Sequence, residues 1–417
     1  MSSSRPFAKL KLGRHIPVRA GHPWVFSEAI DVHPVDAEPG AIIEIQDSLG
    51  KVLGLGTWNP KTSIRIRILT QNAATKIDAA FFAKRFQELH DWKIVHLPAN
   101  TTGYRLAHAE TDGLGGLIVD RYDSTYVFQL HTLGMDLLRA EIIEGLKQFA
   151  ATQSTDFAIV ERSDVEARRL EGLTKREVEV HHGTVEELVP FLEDGVQFLA
   201  DVLKGQKTGF FLDQRPARLA VKRLAKNRRV INLFSYTGAF GVHALKGGAT
   251  FVQNVDASLT ALETAEKTTT LNGFDADNES VCEFIEADIF PMLEAEKLPG
   301  GPYDLIICDP PALTKDGSHA EQALKAYTFL NTSCLRHLPV GGILVTSSCS
   351  GRISPEDFRS MLRIAAGRSG KQVRLLEWIG HDVDHAELLS FPEGRYLKTV
   401  ILQVTGTVQS SALAKTF

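Results

Sequence analysis

Cys349 closes the apolar run GGILVTSSCS, and Asp309 opens Asp309-Pro310-Pro311 directly after the apolar run YDLIIC. A thiol and a carboxylate at the ends of two buried strands could act on one substrate. Carbon 5 of a cytosine is not itself nucleophilic, so methylating it requires covalent help. A thiolate adding at carbon 6 turns the ring into an enamine, which can attack a methyl donor. Two prolines straight after a buried strand cannot continue the ladder, so they fix a rigid, exposed backbone at the sheet edge. An acidic residue followed by Pro-Pro in this slot is a sign of a base-modifying methyltransferase. Enzymes that methylate exocyclic amines place an aromatic residue after the prolines, and Ala312 stands there instead. A free cysteine is by default a small buried hydrophobe. Small polar and glycine neighbours after the last core strand favour a reactive role for Cys349. Cys282 and Cys308 within strands, and Cys334 within a helix, keep the structural role.

Other strand ends carry groups suited to a nucleoside-containing cofactor. Phe234-Ser235-Tyr236-Thr237-Gly238 leads into a helical stretch, and such a turn brings backbone amides close to a ligand. It is not the G-x-G-x-x-G of dinucleotide binders, and a plain strand-to-helix turn is the alternative. Asp256 ends VQNVD about 20 residues later, where a carboxylate can accept both hydroxyls of a ribose; a helix N-cap Asp is the alternative there. Asp288 and Ile289 follow the third strand, where Asp288 could take an adenine amino group and apolar neighbours could sandwich the ring. An ordinary loop carboxylate is the competing reading.

These residues need a parallel sheet to hold them. The last ~225 residues alternate strands with helices, which indicates a doubly wound α/β domain with its ligand at the carboxyl ends of the strands. Earlier segments differ. AIIEIQD and SIRIRIL alternate between turns, predicting a small β-barrel-like domain that ends near Gln71, with Arg65 and Arg67 on its outer face. From about Asp78, DAAFFAKRFQELHDWK has helical spacing, and GLIVDRY, YVFQLH and FAIVERS read as strands around the helix MDLLRAEIIEGLKQFA. The boundaries expected are 1–72, 73–190 and 191–417.

The 417 residues carry a net charge of −5, which read as an average argues against a nucleic-acid partner. By segment, residues 1–72 are +3, 73–190 are −6 and 191–417 are −2. Arg215, Arg218, Lys222 and Lys226 recur at helical spacing within a stretch free of acid, as one cationic stripe. The stripe is either a solvated face or a phosphate-contacting surface. The four cysteines show no CxxC or zinc spacing, so no metal site is expected, and their usage fits a reducing cytoplasm. The N-terminus has no signal-peptide core, and no apolar run approaches ~18 residues, so no membrane span is expected.

The motifs resemble the ribosomal RNA large-subunit methyltransferase I family along the whole chain. AGHPWVFSEAI, YRLAHAETDGLGGLIVDRY, ERSDVEARRLEGL, GQKTGFFLDQR, NLFSYTGAFGVHAL, CDPPALTK, TSSCS and FPEGRYLK carry the likeness. GQKTGFFLDQR and TSSCS are the specific stretches. The resemblance implies an N-terminal PUA domain, a central α+β domain and a C-terminal Rossmann-like class I methyltransferase domain. The implied cofactor is S-adenosylmethionine, and the implied partner is large-subunit ribosomal RNA. Carried over by position, Lys207, Thr208, Gly209 and Phe210 together with Phe234–Gly238 would hold the methionine end of the cofactor. Asp256 would hold the ribose, Asp288 with Ile289 the adenine, and Asp309 with Pro310 would stand between cofactor and target base. Cys349 would be the nucleophile. Arg65, Arg67, Arg215, Arg218 and Lys222 would contact RNA. Leu313 departs from the Phe usual after DPPA. Many other RNA cytosine methyltransferases carry a second Cys at the position of Ala312, so the base that removes the carbon-5 proton is unassigned. Relatives with Asn in place of Cys349 look like guanine-N7 methyltransferases, which need no covalent step. Whether the chain forms a homodimer is left open.

Overall fold

Apolar residues at every second position bury one strand face. In the computed structural model, which describes residues 5–295, 298–313 and 320–408, the first segment does this with β1 (Phe7–Leu10), β2 (Trp24–Phe26), β3 (Ile30–Val32), β4 (Ile42–Gln46), β5 (Val52–Trp58) and β6 (Ile64–Thr70). They form one sheet in the order β2-β6-β5-β4-β1-β3, with a short helix α1 (His15–Arg19) after β1. Ile43, Ile45 and Ile66 meet Val25 and Trp58 in its core.

The chain folds as two compact units. The first contains this sheet and a second sheet, β7 (Gly103–His108), β8 (Leu117–Tyr122), β9 (Thr125–Leu130), β10 (Ala158–Glu161) and β11 (Glu179–His182), ordered β11-β10-β9-β8-β7. The expected helix begins at α2 (Ala79–His96), where Asp78 caps Phe81 N. The expected MDLLRAEIIEGLKQFA helix breaks at Leu138 into α3 (Leu133–Leu137) and α4 (Arg139–Gln153). Phe82 and Phe86 of α2 and Leu146 and Phe149 of α4 cover Tyr104, Tyr126 and Phe128 of the sheet. Residues 199–212 and 383–394 also belong to this unit, so the chain passes between units more than once. β12 (Val189–Glu193) and β13 (Val196–Ala200) lie where it first crosses.

The second unit is a seven-stranded sheet flanked by helices. Its strands are β14 (Arg229–Leu233), β15 (Phe251–Asp256), β16 (Cys282–Glu286), β17 (Leu305–Cys308), β18 (Ile343–Ser348), β19 (Lys371–Ile379) and β20 (Lys398–Thr407). The order is β16-β15-β14-β17-β18-β20-β19, with the first five parallel and β20 antiparallel to both neighbours. Successive residues face opposite sides. Val230, Leu305, Ile307 and Val345 join α5 (Arg215–Leu224) and α6 (Ala239–Lys246) in one core. Ile231, Ile306 and Leu344 join α8 (Ile289–Glu294), α9 (Ala320–His337) and α10 (Pro355–Ser369) in the other. α7 (Leu259–Leu271) connects β15 to β16. Burial on both faces explains why these strands read as near-continuous apolar runs. No described helix is long and apolar enough to cross a membrane.

Candidate active site

The five parallel strands end on one edge of the second unit, and the candidate residues follow from that direction. β17 and β18 are neighbours with Cys308 opposite Thr346, so Asp309 and Cys349 both lie just past the carboxyl ends of adjacent strands. Pro310 is buried, while Pro311 and Ala312 are exposed. Asp309 Oδ1 accepts from Gln214 Nε2 at 2.9 Å. The amide oxygen of Gln214 accepts from Thr399 Oγ1 at 3.3 Å, and Thr399 in turn meets Ser347 Oγ at 2.8 Å. This chain of bonds ties the Asp309 loop to the two strands that carry the Cys349 turn.

Cys349 is half-buried, and the other three cysteines are buried. Its turn is braced from below. Lys398, opposite Ser348 in the β18–β20 register, donates to Ser350 O and Ile353 O, each at 2.7 Å. Tyr327 of α9 meets Ser350 Oγ at 3.2 Å. Burial pushes the Tyr327 hydroxyl up to about 12 and pulls the Lys398 ammonium down to about 8, while negative charge at Cys349 acts on Lys398 in the opposite direction.

The strand β14 leads into a turn that departs from ordinary backbone. Phe234 and Tyr236 have φ of 60° and 48°, a region costly for residues with a side chain, and Gly238 has 74°. Asp256, at the end of β15, holds the turn by accepting from Tyr236 N at 2.7 Å, and it accepts from Ser258 N at 2.9 Å. Ser235 Oγ and Thr237 Oγ1 are buried with no hydrogen-bond partner. Gly241 lies so close to Asn254 that a Cβ there would stand 2.3 Å from its Oδ1. Two orphaned hydroxyls, a strained turn and a carboxylate with acceptor capacity left over suit a ligand bearing amino, carboxylate and ribose groups.

Asp288 is exposed and caps α8 at Phe290 N (3.1 Å), and Ile289 beside it is buried in the core cluster. Half-buried Phe290 packs edge-on against Phe234 at 6.1 Å and is the aromatic surface beside Asp288. Sequence alternation alone does not tell which of two adjacent apolar residues a helix cap turns inward.

Of the arginines expected to contact RNA, Arg67, Arg215 and Arg218 are taken up inside the protein. Arg215 is 0% and Arg218 1% exposed, and Arg215 forms an ion pair with Asp382. Lys222 is half-buried. Helical spacing showed which residues share a face, and the Arg215–Arg218 end of that face is covered while Lys226 is exposed. Arg67 pairs with Glu110 at 3.3 Å and with Glu171 at 2.8 Å. Arg65 is half-buried, and its Nε and Nη1 are shielded from solvent with no hydrogen-bond partner among the described residues. The basic residues that the N-terminal segment exposes include Lys11 and Arg14, on the segment leading to α1, together with Arg19, Lys51 and Lys61.

Within GQKTGFFLDQR the structure separates two groups. Lys207–Phe210 belong to the first unit. There Thr208 Oγ1 donates to Asp120 at 2.5 Å and meets Tyr122 Oη at 2.9 Å, Lys207 lies over the Phe211 ring, and Phe210 packs on Phe191. Asp213, Gln214 and Arg215 belong to the second unit, where Asp213 accepts from Tyr396 Oη at 2.6 Å. Bracing roles for Gln214, Tyr327 and Lys398 were not visible in sequence, because each depends on contacts between distant segments. Elsewhere in the first unit, Glu161, Glu179 and His181 gather their donor atoms within 4.8 Å, but Arg139 pairs with both carboxylates.

Comparison with known proteins gives a consistent picture. A family described as S-adenosylmethionine-dependent methyltransferase matches residues 150–371, and a PUA-like domain matches residues 8–71. The ribosomal RNA large subunit methyltransferase I of Salmonella arizonae is 38% identical over 394 residues, 94% of this chain and 96% of that protein. The protein of the same name from Salmonella schwarzengrund is 38% identical over 397 residues, 95% and 97% of the two chains. Among solved structures, SMU.776, crystallised with SAH, superposes with a TM-score of 0.79 at 22% identity, covering 96% of this chain and all of that one.

Proposed function

Since this chain belongs to the ribosomal RNA large subunit methyltransferase I family, we propose that it methylates carbon 5 of a cytosine in large-subunit ribosomal RNA through a covalent Cys349 adduct. The observation that carries this reading is that Cys349 and Asp309 both lie just past the carboxyl ends of adjacent parallel strands. S-adenosylmethionine, the cofactor of this methyltransferase class, supplies an electrophilic methyl group when bound. Asp256 has acceptor capacity for the ribose hydroxyls beyond the two backbone N–H groups it already holds. Ser235, Thr237 and the Phe234–Gly238 backbone hold the amino-acid end, and Asp288 with Phe290 holds the adenine.

The target base is flipped out of its stack to reach this edge. The Cys349 thiolate adds to carbon 6, and the electron pair of the ring double bond moves to carbon 5. Asp309, held by Gln214, hydrogen-bonds the ring edge. Once carbon 5 carries the methyl group, removal of its proton restores the double bond and expels the thiolate. The exposed Lys11 and Arg14, on the segment between β1 and α1, contact the RNA backbone.

RNA containing 5-fluorocytosine tests the reading, because fluorine cannot leave as a proton and the adduct stays trapped. A covalent complex on the Cys349 peptide is expected with the native protein. Cys349→Ser should bind cofactor, form no adduct and leave rRNA unmethylated. No adduct under turnover conditions, with methyl groups found on guanine N7, would replace this reading with the non-covalent one.

A further inference from the structure

We infer that Lys398 is a positioning residue for the Cys349 nucleophile, fixing the turn that carries the thiol and holding it as the thiolate. The inference rests on the nucleophilic role proposed for Cys349. Lys398 is 2% exposed, and a buried ammonium needs partners. Two of its three N–H donors go to Ser350 O and Ile353 O at 2.7 Å. Those carbonyls flank the stretch directly after Cys349, so one side chain sets the shape of the turn. Packing alone does not require a charge here, since apolar residues fill the neighbouring core positions Val400 and Leu402 of the same strand. What the charge adds is an electrostatic partner for an anion. Ionised Cys349 favours the protonated lysine, and the coupling runs equally in the other direction. Burial lowers Lys398 to about 8, still above neutrality, so it is largely cationic at pH 7.

Other titratable groups also surround this turn. Tyr327 reaches it from α9 through Ser350, with its hydroxyl pushed up to about 12 and therefore neutral. Asp309, from the loop after β17, is the acidic neighbour, and its charge opposes a thiolate. His381 accepts from Leu397 N at 3.1 Å, next to the lysine. Lys398 supplies the positive charge that a thiolate next to a carboxylate requires.

The test is the pH dependence of Cys349 alkylation by iodoacetamide in the full-length protein, followed by peptide mass spectrometry. The buried Cys282, Cys308 and Cys334 serve as slow internal references. Lys398→Gln keeps two N–H donors for the carbonyls and removes the charge. The alkylation midpoint should rise by roughly one to three pH units, the range that an opposite charge produces. Methylation at pH 7 should fall at least about tenfold and recover as the pH is raised. A folded Lys398→Gln protein with an unmoved midpoint overturns the inference, since a merely structural lysine would not shift it. If that variant does not fold, the reciprocal measurement decides. NMR titration of labelled lysine should show Lys398 losing its proton at lower pH in Cys349→Ser than in the native protein, and identical titrations overturn the inference. A native 5-fluorocytosine adduct with an unmoved midpoint rejects the lysine role alone, whereas absence of the adduct rejects the nucleophile.

Discussion

Replacing Asp256 with Ala should separate cofactor binding from folding, and its cost can be worked from the carboxylate's bonds. A carboxylate has about four acceptor sites. In this protein one oxygen takes Tyr236 N at 2.7 Å and the other takes Ser258 N at 2.9 Å, which leaves about two sites for the two ribose hydroxyls. Hydrogen bonds to a charged group contribute about 1.5–3 kcal/mol each. Losing two at the lower bound costs about 3 kcal/mol of cofactor affinity, or roughly a hundredfold in Kd at 1.4 kcal/mol per tenfold. The same truncation frees Tyr236, whose φ of 48° is unfavourable without an anchor, so part of the effect reaches the turn itself. Asp256→Asn separates the two contributions. It keeps one acceptor oxygen and the side-chain volume, so it should bind cofactor more weakly than native but better than Asp256→Ala. Isothermal titration with S-adenosylhomocysteine reads the affinity, and a thermal melt verifies that the protein is folded. An Asp256→Ala protein that melts normally and binds within threefold of native would refute the assignment of Asp256 to the ribose.

Asp120→Asn should cost about 3–5 kcal/mol in urea unfolding, because it leaves the Arg105 guanidinium, paired at 2.8 Å through two nitrogens, without its buried counter-charge; a loss under 1 kcal/mol would contradict this. Lys11→Ala and Arg14→Ala should each weaken binding to an rRNA fragment about equally across sequences and reduce the salt slope by about one, measured by fluorescence anisotropy between low and physiological salt. Arg67→Ala should instead lower stability by about 3 kcal/mol with an unchanged salt slope, since its charge is taken up by Glu110 and Glu171.

The parallel sheet was legible in sequence because each of its strands is buried on both faces and so appears as an apolar run that ends in a chemically distinct residue. Asp256, Asp309 and Cys349 stood out as candidates for that reason. The β19 strand was not, because KQVRLLEWI lies at the sheet edge with most of its residues at least partly exposed, leaving little apolar signal. The cationic stripe was misjudged for a related reason. Periodicity reports which side chains share a face, but the partner that covers Arg215 is Asp382, 167 residues away in the chain. The break at Leu138 shows the same limit at short range: both halves are helical in composition, and the tertiary packing of Met135 and Ile142 into one core decides where the axis turns.

The four cysteines show how position converts one residue type into different chemistry. Cys308 is held protonated by its bond to Cys334 and by burial, and Cys282 is pushed up to about 11 by burial beside Asp275 and Glu266. A reactive thiolate needs the opposite surroundings, partial exposure and a neighbouring cation. Among the four, Cys349 is the one that is half-exposed and coupled to a buried ammonium. That coupling depends on strand register. Lys398 stands opposite Ser348, so the lysine lies on the face from which it can reach the turn. A slip of one residue between β18 and β20 would send its side chain through to the other face of the sheet. The ammonium would then be stranded among Ile343, Val345 and Ile401, where it would meet apolar side chains instead of carbonyls. The charge proposed to support Cys349 therefore also disfavours the misregistered sheet, and the shape of the Cys349 turn and the pairing of these core strands are specified together.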